Sequence, residues 1–481
     1  MSRLILFTLC TISTLLIAAA PYQTTIPTPA QSQIPPGFKL ILSAKGADLY
    51  RKDYEGGNPD FVQVIHLNRG ASLELLYGKI TNPGYGRGVY GGPNARILQQ
   101  KLEDFWKELT ISSQDAFCVT NGQFFYMKDY PTRLAFPLKT NGEIISDGYG
   151  INEYPEQKLM LEIWEDHADI RELSKAAFYN SPAPDIIGGL EEDANKKSKF
   201  YVGRTFVGVD DQDSDGSFET LYIFNTVTAR QIDAASVLKD FGADRVMMLD
   251  GGGSTQLICQ GKSYIKSDRY IPTALGVIAD SVPPYQAIIS SLPTQSILME
   301  GMNLALTIDV INAGSKPWKA EENQLVLDNQ PWGTLEKVNL HTDLQPNEKL
   351  TFSWITKPYN ASGVYQTTSF MEDLKGKRFQ GDPGKSNVIV IPQTLGEKKE
   401  ELEGIINKNS GDTNTELDSL VNNWIEQESA LVMPAIQKDA SAPISGVESS
   451  PNPLDVGWIP LIIAPIAILL FLAVSRYNRK Y

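Results

Sequence analysis

The sequence predicts an α+β domain, a mixed sheet with a few helices, then an all-β sandwich and a single C-terminal transmembrane helix. Three observations predict this order. Over residues 38–282, short apolar runs of strand length alternate with turns, and two stretches repeat at helical spacing. From about Gln286 the texture changes to alternating runs at the spacing of a sandwich. Residues 457–475 are uncharged, mostly apolar and long enough to span a bilayer.

With 481 residues the chain has room for two or three domains, and 42% apolar content supports a sizeable core. Acidic residues outnumber basic ones, 57 to 43, and the net charge of −14 argues against a nucleic-acid partner. Cys10, Cys118 and Cys259 are too few for a disulfide framework.

Residues 1–20 read as a secretory signal. Arg3 gives a positive start, residues 4–17 an apolar stretch, and Ala18-Ala19-Ala20 the small residues before cleavage. Only Cys118 and Cys259 then remain, as two buried thiols or as the disulfide that export permits. Residues 21–37 form a disordered leader rich in Pro, Thr and Gln.

Strands follow at 61–67 and 72–77. Gly86-x-Gly88-x-x-Gly91 matches the dinucleotide fingerprint by letter only, since the preceding strand is distant and an exported protein meets no soluble NAD. Residues 94–109 read as the main helix, with Ile97, Leu98, Leu102, Phe105, Trp106 and Leu109 on one face. A strand from Cys118 runs into the Asn121-Gly122 turn, and a helix over 236–241 ends at Gly242.

Between strands at 205–209 and 220–225, Asp211, Asp213 and Asp215 are spaced as in a calcium loop, but Tyr222 stands where an EF-hand needs Glu. A solvated hairpin turn is the preferred reading, and calcium stays open. His66, His167 and His341 stand in no ligand pattern, which argues against a His-based zinc or triad enzyme; no other cofactor is implied.

At 245–256 the chain reads Arg-Val-Met-Met-Leu-Asp-Gly-Gly-Gly-Ser-Thr-Gln. A buried strand over 246–249 delivers Asp250 to its end. Gly251, Gly252 and Gly253 then allow close backbone approach and an anion-binding nest, and Ser254 and Thr255 add hydroxyls. A carboxylate beside such a loop suits cleavage next to a phosphate-like group.

Beyond Gln286, strands at 304–310, 325–327, 350–354, 363–365 and 388–391 make up a sandwich over 286–392 that resembles the tryptophan-containing immunoglobulin-like modules of bacterial surface proteins. Residues 393–456 form a polar stalk. The span at 457–475 is followed by Arg476, Arg479 and Lys480, so the tail 476–481 is cytoplasmic and the bulk of the chain exported.

The Asp250-Gly-Gly-Gly-Ser254-Thr255 stretch resembles the signature of the phosphodiester glycosidase family. Asn121-Gly122-Gln123-Phe124-Phe125, Arg204-Thr205-x-x-Gly208, Gly188-Gly189 and Ala274-Leu275-Gly276 resemble its other segments in order, over about residues 38–282. Gln123 departs from the family's second glycine, which implies a smaller, more polar space beside Asn121.

The resemblance implies hydrolysis at a sugar-1-phosphodiester, a carbohydrate phosphodiester in a surface glycan or glycolipid. An ordinary glycosidase needs two carboxylates, one of them a general acid. A phosphate, with a second pKa of about 6, departs with little proton donation. Arg204 is then the phosphate clamp, Asp250 the base, nucleophile or cation stabiliser, and Asn121 a hydrogen-bonding partner of the sugar or water. Gly122, the three glycines, Ser254 and Thr255 line the substrate. Each has a plain structural alternative: Arg204 in an ion pair, Asp250 capping its turn, Asn121 turning the chain. The competing function is a non-catalytic envelope protein that binds an anionic glycan.

Overall fold

The computed structural model describes residues 34–391, apart from 55–56, 151, 330–333 and 362. The α+β expectation is overturned: 48% is strand and 10% helix. Every pairing in the largest sheet is antiparallel, so it is not mixed either. No helix among the described residues is long and apolar enough to cross a membrane. The expected signal at 1–20, stalk at 393–456 and span at 457–475 lie outside the described residues.

The first part pairs an eleven-stranded sheet with a five-stranded one. In the large sheet, Asp60–His66, Thr220–Ala229, Val202–Asp210 and Arg245–Met248 are consecutive neighbours, and Asp185–Leu190 follows. The small sheet runs Lys262–Ile265, Leu257–Cys259, Ala116–Asn121, Thr273–Ile278, Ser72–Tyr77. Their facing sides share one core, in which Phe61, Val207 and Ile223 of the large sheet meet Phe117, Leu257 and Leu275 of the small one.

Both outer faces are also covered. Helix Gln231–Asp240 lays Ala234, Ala235 and Leu238 over Phe206 and Phe224, and Gly242, at φ +112°, turns the chain after it. Helix Leu102–Ser112 places Phe105, Trp106 and Leu109 on Val119, Ile258 and Ala274. Strands covered on both faces show no alternation of exposure: Val202–Asp210 is buried throughout except at Val202, and Ala116–Asn121 is buried throughout. The helix expected over 94–109 begins only at Leu102, because Arg96–Ile97 pairs as a strand with Ile80–Asn82. The apolar spacing there serves two different elements.

Strands Gln286–Leu292 to Gly384–Ile391 form a second sandwich of four and five strands around Trp318, Tyr359, Leu325 and Val388. The junction at Pro283-Pro284 is not a free linker. Ile288 and Ala313 join the core of the first part, Gln286 Nε2 donates to Ser43 O at 2.8 Å, and Lys262 Nζ pairs with the largely buried Asp382 at 2.8 Å.

Candidate active site

Asp250 stands just past the strand Arg245–Met248 of the large sheet, and Asn121 ends the strand Ala116–Asn121 of the small one. The two sheets meet here through main-chain pairing, Asp250 N to Gly122 O at 3.2 Å, while Gly122 N donates within the small sheet to Thr273 O at 2.9 Å. Cys118 and Cys259 lie opposite one another on neighbouring strands and form a disulfide, which settles the open alternative. It staples the strand that ends at Asn121 to the one that follows the glycine loop.

Asn121 is 1% exposed. Its Nδ2 donates to the Asp250 carbonyl at 2.6 Å, and its Oδ1 accepts from Thr205 Oγ1 at 2.8 Å and Gln256 N at 3.2 Å. A further buried amide, Asn225, donates to Thr120 Oγ1 at 2.8 Å and Thr205 Oγ1 at 3.3 Å, closing a network beneath Asp250. Asn121 therefore holds the main chain of the catalytic candidate in place.

Burial pushes the Asp250 carboxyl up from 3.8 to about 6; a bond from the Ser254 hydroxyl, the Gly251 amide, and the charges of Arg269 and Lys196 pull it back down. Gly251 N donates to Asp250 Oδ1 at 2.9 Å. The loop packs so closely that a Cβ on Gly251 would stand 2.6 Å from Gly203 O, and one on Gly253 2.8 Å from Arg269 Nη2. Arg269 Nη1 also donates to Ser254 Oγ at 3.2 Å. Ser254 and Thr255 are both buried, so they support the loop from beneath rather than line its surface.

Arg204 does not face this loop with a free fork. Its Nε donates to Ala229 O at 3.2 Å, its Nη1 to Lys196 O at 3.1 Å and the Met248 sulfur at 3.9 Å, and its Nη2 to Lys197 O at 2.7 Å and Phe200 O at 3.2 Å. All five N–H groups are engaged and the side chain is 3% exposed. Bidentate recognition of a phosphate needs two unspent donors, which the fork in this arrangement does not offer. Nor is it in an ion pair among the described residues: its partners are four carbonyls and the Met248 sulfur.

The cations beside Asp250 are two that the sequence reading missed, Arg269 and Lys196. Lys196 Nζ lies 5.1 Å over the Phe124 ring and 5.3 Å over the Tyr154 ring. Tyr149, also within reach of the Asp250 charge, is pushed up to about 12, by burial first and then by Glu153. The only signal was a basic residue in a polar loop, Arg269 after Asp268 and Lys196 in the cluster Lys196-Lys197-Ser198-Lys199, which many surface positions share.

Gln123 turns its amide away from the site: Oε1 accepts from Phe136 N at 3.1 Å and Nε2 donates to Pro137 O at 3.3 Å. Asp147 accepts from Gly92 N at 2.7 Å, Tyr90 N at 3.1 Å and the Tyr179 hydroxyl at 2.7 Å, so it ties down the glycine-rich segment. Asp210 is likewise taken, accepting from the Tyr222 hydroxyl at 2.9 Å. Burial pushes His66 down to about 4, leaving it neutral near pH 7.

In the acidic turn, carboxylate oxygens of Asp211, Asp213 and Asp215 lie within 4.8 Å of one another. They already accept from the turn's own amides: Asp215 N donates to Asp211 Oδ1 at 3.1 Å and Asp213 Oδ1 at 3.2 Å, and Gly216 N to Asp211 Oδ2 at 2.8 Å.

The phosphodiester glycosidase family model matches residues 110–278, which include Asn121, Arg204, Asp250 and Arg269. No curated protein matches the chain. Among solved structures, the chain is similar to the zebrafish N-acetylglucosamine-1-phosphodiester alpha-N-acetylglucosaminidase catalytic domain auto-inhibited by its pro-peptide. That match has 16% identity and a TM-score of 0.36, and covers 50% of this chain and 88% of that one. A hypothetical protein from Synechocystis matches at 13% identity and a TM-score of 0.32, over 51% of this chain and 69% of its own. The CARDB domain of a Pyrococcus furiosus protein, in complex with di-metal ions, matches at 16% identity and a TM-score of 0.18, over 23% of this chain and 90% of its own. Over residues 110–278, about a third of its length, the chain is thus similar to the phosphodiester glycosidases, which are hydrolases.

Proposed function

We propose that the site cleaves the glycosidic C–O bond of a sugar joined at its anomeric carbon to a phosphodiester, in a surface glycan or glycolipid. The observation that carries this reading is the surroundings of Asp250: one carboxylate, raised to about 6, with Arg269 and Lys196 as its cationic neighbours. Water adds to the anomeric carbon, the C–O bond breaks, and its electron pair leaves with the phosphate as a phosphomonoester. Ionised Asp250 takes the proton of the water or stabilises the positive sugar carbon. Arg269 and Lys196 meet the negative charge that collects on the departing phosphate. Asn121 supplies no atom to the substrate and instead fixes the Asp250 main chain.

The reading includes export and attachment to a membrane with the site outside, supported by the signal-like 1–20 and the apolar 457–475 in the sequence. The sandwich domain then serves as a spacer or binding platform. The test is incubation of the full chain with a panel of sugar-1-phosphodiesters and identification of the products. Free sugar and phosphomonoester are expected. Tight binding without release of either, across the panel, sinks the hydrolytic reading in favour of a glycan-binding protein.

A further inference from the structure

Arg204 and Gln231 act on the same stretch of chain. Gln231, 1% exposed, donates through Nε2 to Glu192 O at 2.7 Å and to Ala194 O, while its own N–H meets Ser198 O at 3.2 Å. Arg204 takes the carbonyls of Lys196, Lys197 and Phe200. Five carbonyls of one irregular segment thus point at two buried side chains and a sixth meets the Gln231 main chain, and Lys197 is held at φ +53°, a conformation that non-glycine residues rarely adopt. Such an arrangement fixes the main chain from which the Lys196 side chain leaves, and that side chain lies over the Phe124 and Tyr154 rings, where its charge acts on the Asp250 carboxyl.

We propose that Arg204, with Gln231, is a positioning residue that makes Lys196 part of the anion site without itself touching the substrate. The inference rests on the reading of this site as one for a phosphate group. Lysine is a flexible point charge, so its use against a phosphate oxygen depends on how well its stem and main chain are held. A segment without regular secondary structure needs such anchoring from outside.

The experiment measures inorganic phosphate binding to the full chain by calorimetry, together with the melting temperature, in single and double variants. Lys196→Ala is expected to weaken phosphate binding about tenfold. Arg204→Lys, and separately Gln231→Ala in case the arginine variant fails to fold, are expected to weaken it by a similar factor in the wild type. In the Lys196→Ala background they should change it less than about twofold, because the residues act through one another. Losses that multiply in the double variants overturn the proposal, as does a wild type that binds no phosphate or an effect on melting temperature alone. Failure of the hydrolytic reading looks different: phosphate binding and its coupling persist, while no sugar-1-phosphodiester is cleaved.

Discussion

The side-chain amide of Asn121 donates to the main-chain carbonyl of Asp250 at 2.6 Å, joining the ends of two strands that belong to different sheets. The candidate catalytic carboxylate is thus held by a residue 129 positions away. Replacing Asn121 by Ala removes that donor and leaves the Thr205 hydroxyl and the Gln256 amide without their acceptor inside the core. Each orphaned group costs about 1–3 kcal/mol. Asn121→Ala is expected to lose stability by several such increments in urea unfolding; a loss of turnover with stability intact would point instead to contact with substrate.

Asp250→Asn tests the carboxylate. It is expected to keep the fold and lower kcat by about 10²–10⁴-fold, while wild-type kcat/KM rises with pH through about 6, where the base form appears. The stability sign follows from the same shift. The folded protein holds this proton more tightly than the unfolded chain, so the group's favourable contribution is full below pH about 4 and lost as pH rises to about 6. Asp250→Asn should therefore exceed the wild type in unfolding free energy by about 2–3 kcal/mol at pH about 7.5, with the gap closing near pH about 4. Wild-type turnover rates in the variant would remove Asp250 from the chemistry.

Arg269 and Arg204 separate by readout. Arg269→Ala, at the surface of the glycine loop, is expected to raise KM for a phosphodiester about tenfold or more with little change in melting temperature. Arg204→Ala leaves four main-chain carbonyls without their donor and is expected to cost about 3 kcal/mol or more in stability. Steady-state kinetics beside thermal unfolding of both variants decides it; a kinetic defect confined to Arg204→Ala, with Arg269→Ala silent, would restore the clamp to Arg204.

The Cys118–Cys259 disulfide closes a loop of 141 residues. Paired serine substitutions are expected to lower unfolding free energy by about 2–5 kcal/mol. Thiol titration of the denatured chain should find no free thiol at either position until a reductant is added. A full thiol count without reductant would contradict the bridge.

Chelation should leave the melting temperature unchanged if the acidic turn is held by its own amides, as its hydrogen bonds indicate. Bound calcium at about 100 times its dissociation constant would instead add roughly 2.7 kcal/mol. A melting shift that calcium restores would therefore assign the metal to Asp211, Asp213 and Asp215.

Asp250 was legible because an apolar run followed by three glycines is both a strand end and a loop that lets backbone come close. The same logic reached Asn121 but not its task, since an amide looks identical in sequence whether it faces a sugar or a carbonyl. Arg204 misled for a related reason: the fork that suits phosphate oxygens also suits a cluster of main-chain carbonyls. Lys196 and Arg269 were invisible, because cations in polar loops carry no period and no motif. On the scale of the fold, the strands were found and the sheet class was not. Covered faces erase the alternation that identifies an antiparallel sheet, and two elements shared one apolar spacing around Ile97 and Leu102.

The strand Gly384–Ile391 lies between Gln295–Met299, parallel to it, and Gly363–Asp373, antiparallel to it. Tension entering the molecule at Ile391 runs along that strand, across hydrogen bonds that must all slide together rather than open one by one. The next firm tie inward is Lys262 with Asp382, on the hairpin that follows the glycine loop. A load applied along that strand would therefore meet a row of hydrogen bonds on both sides at once.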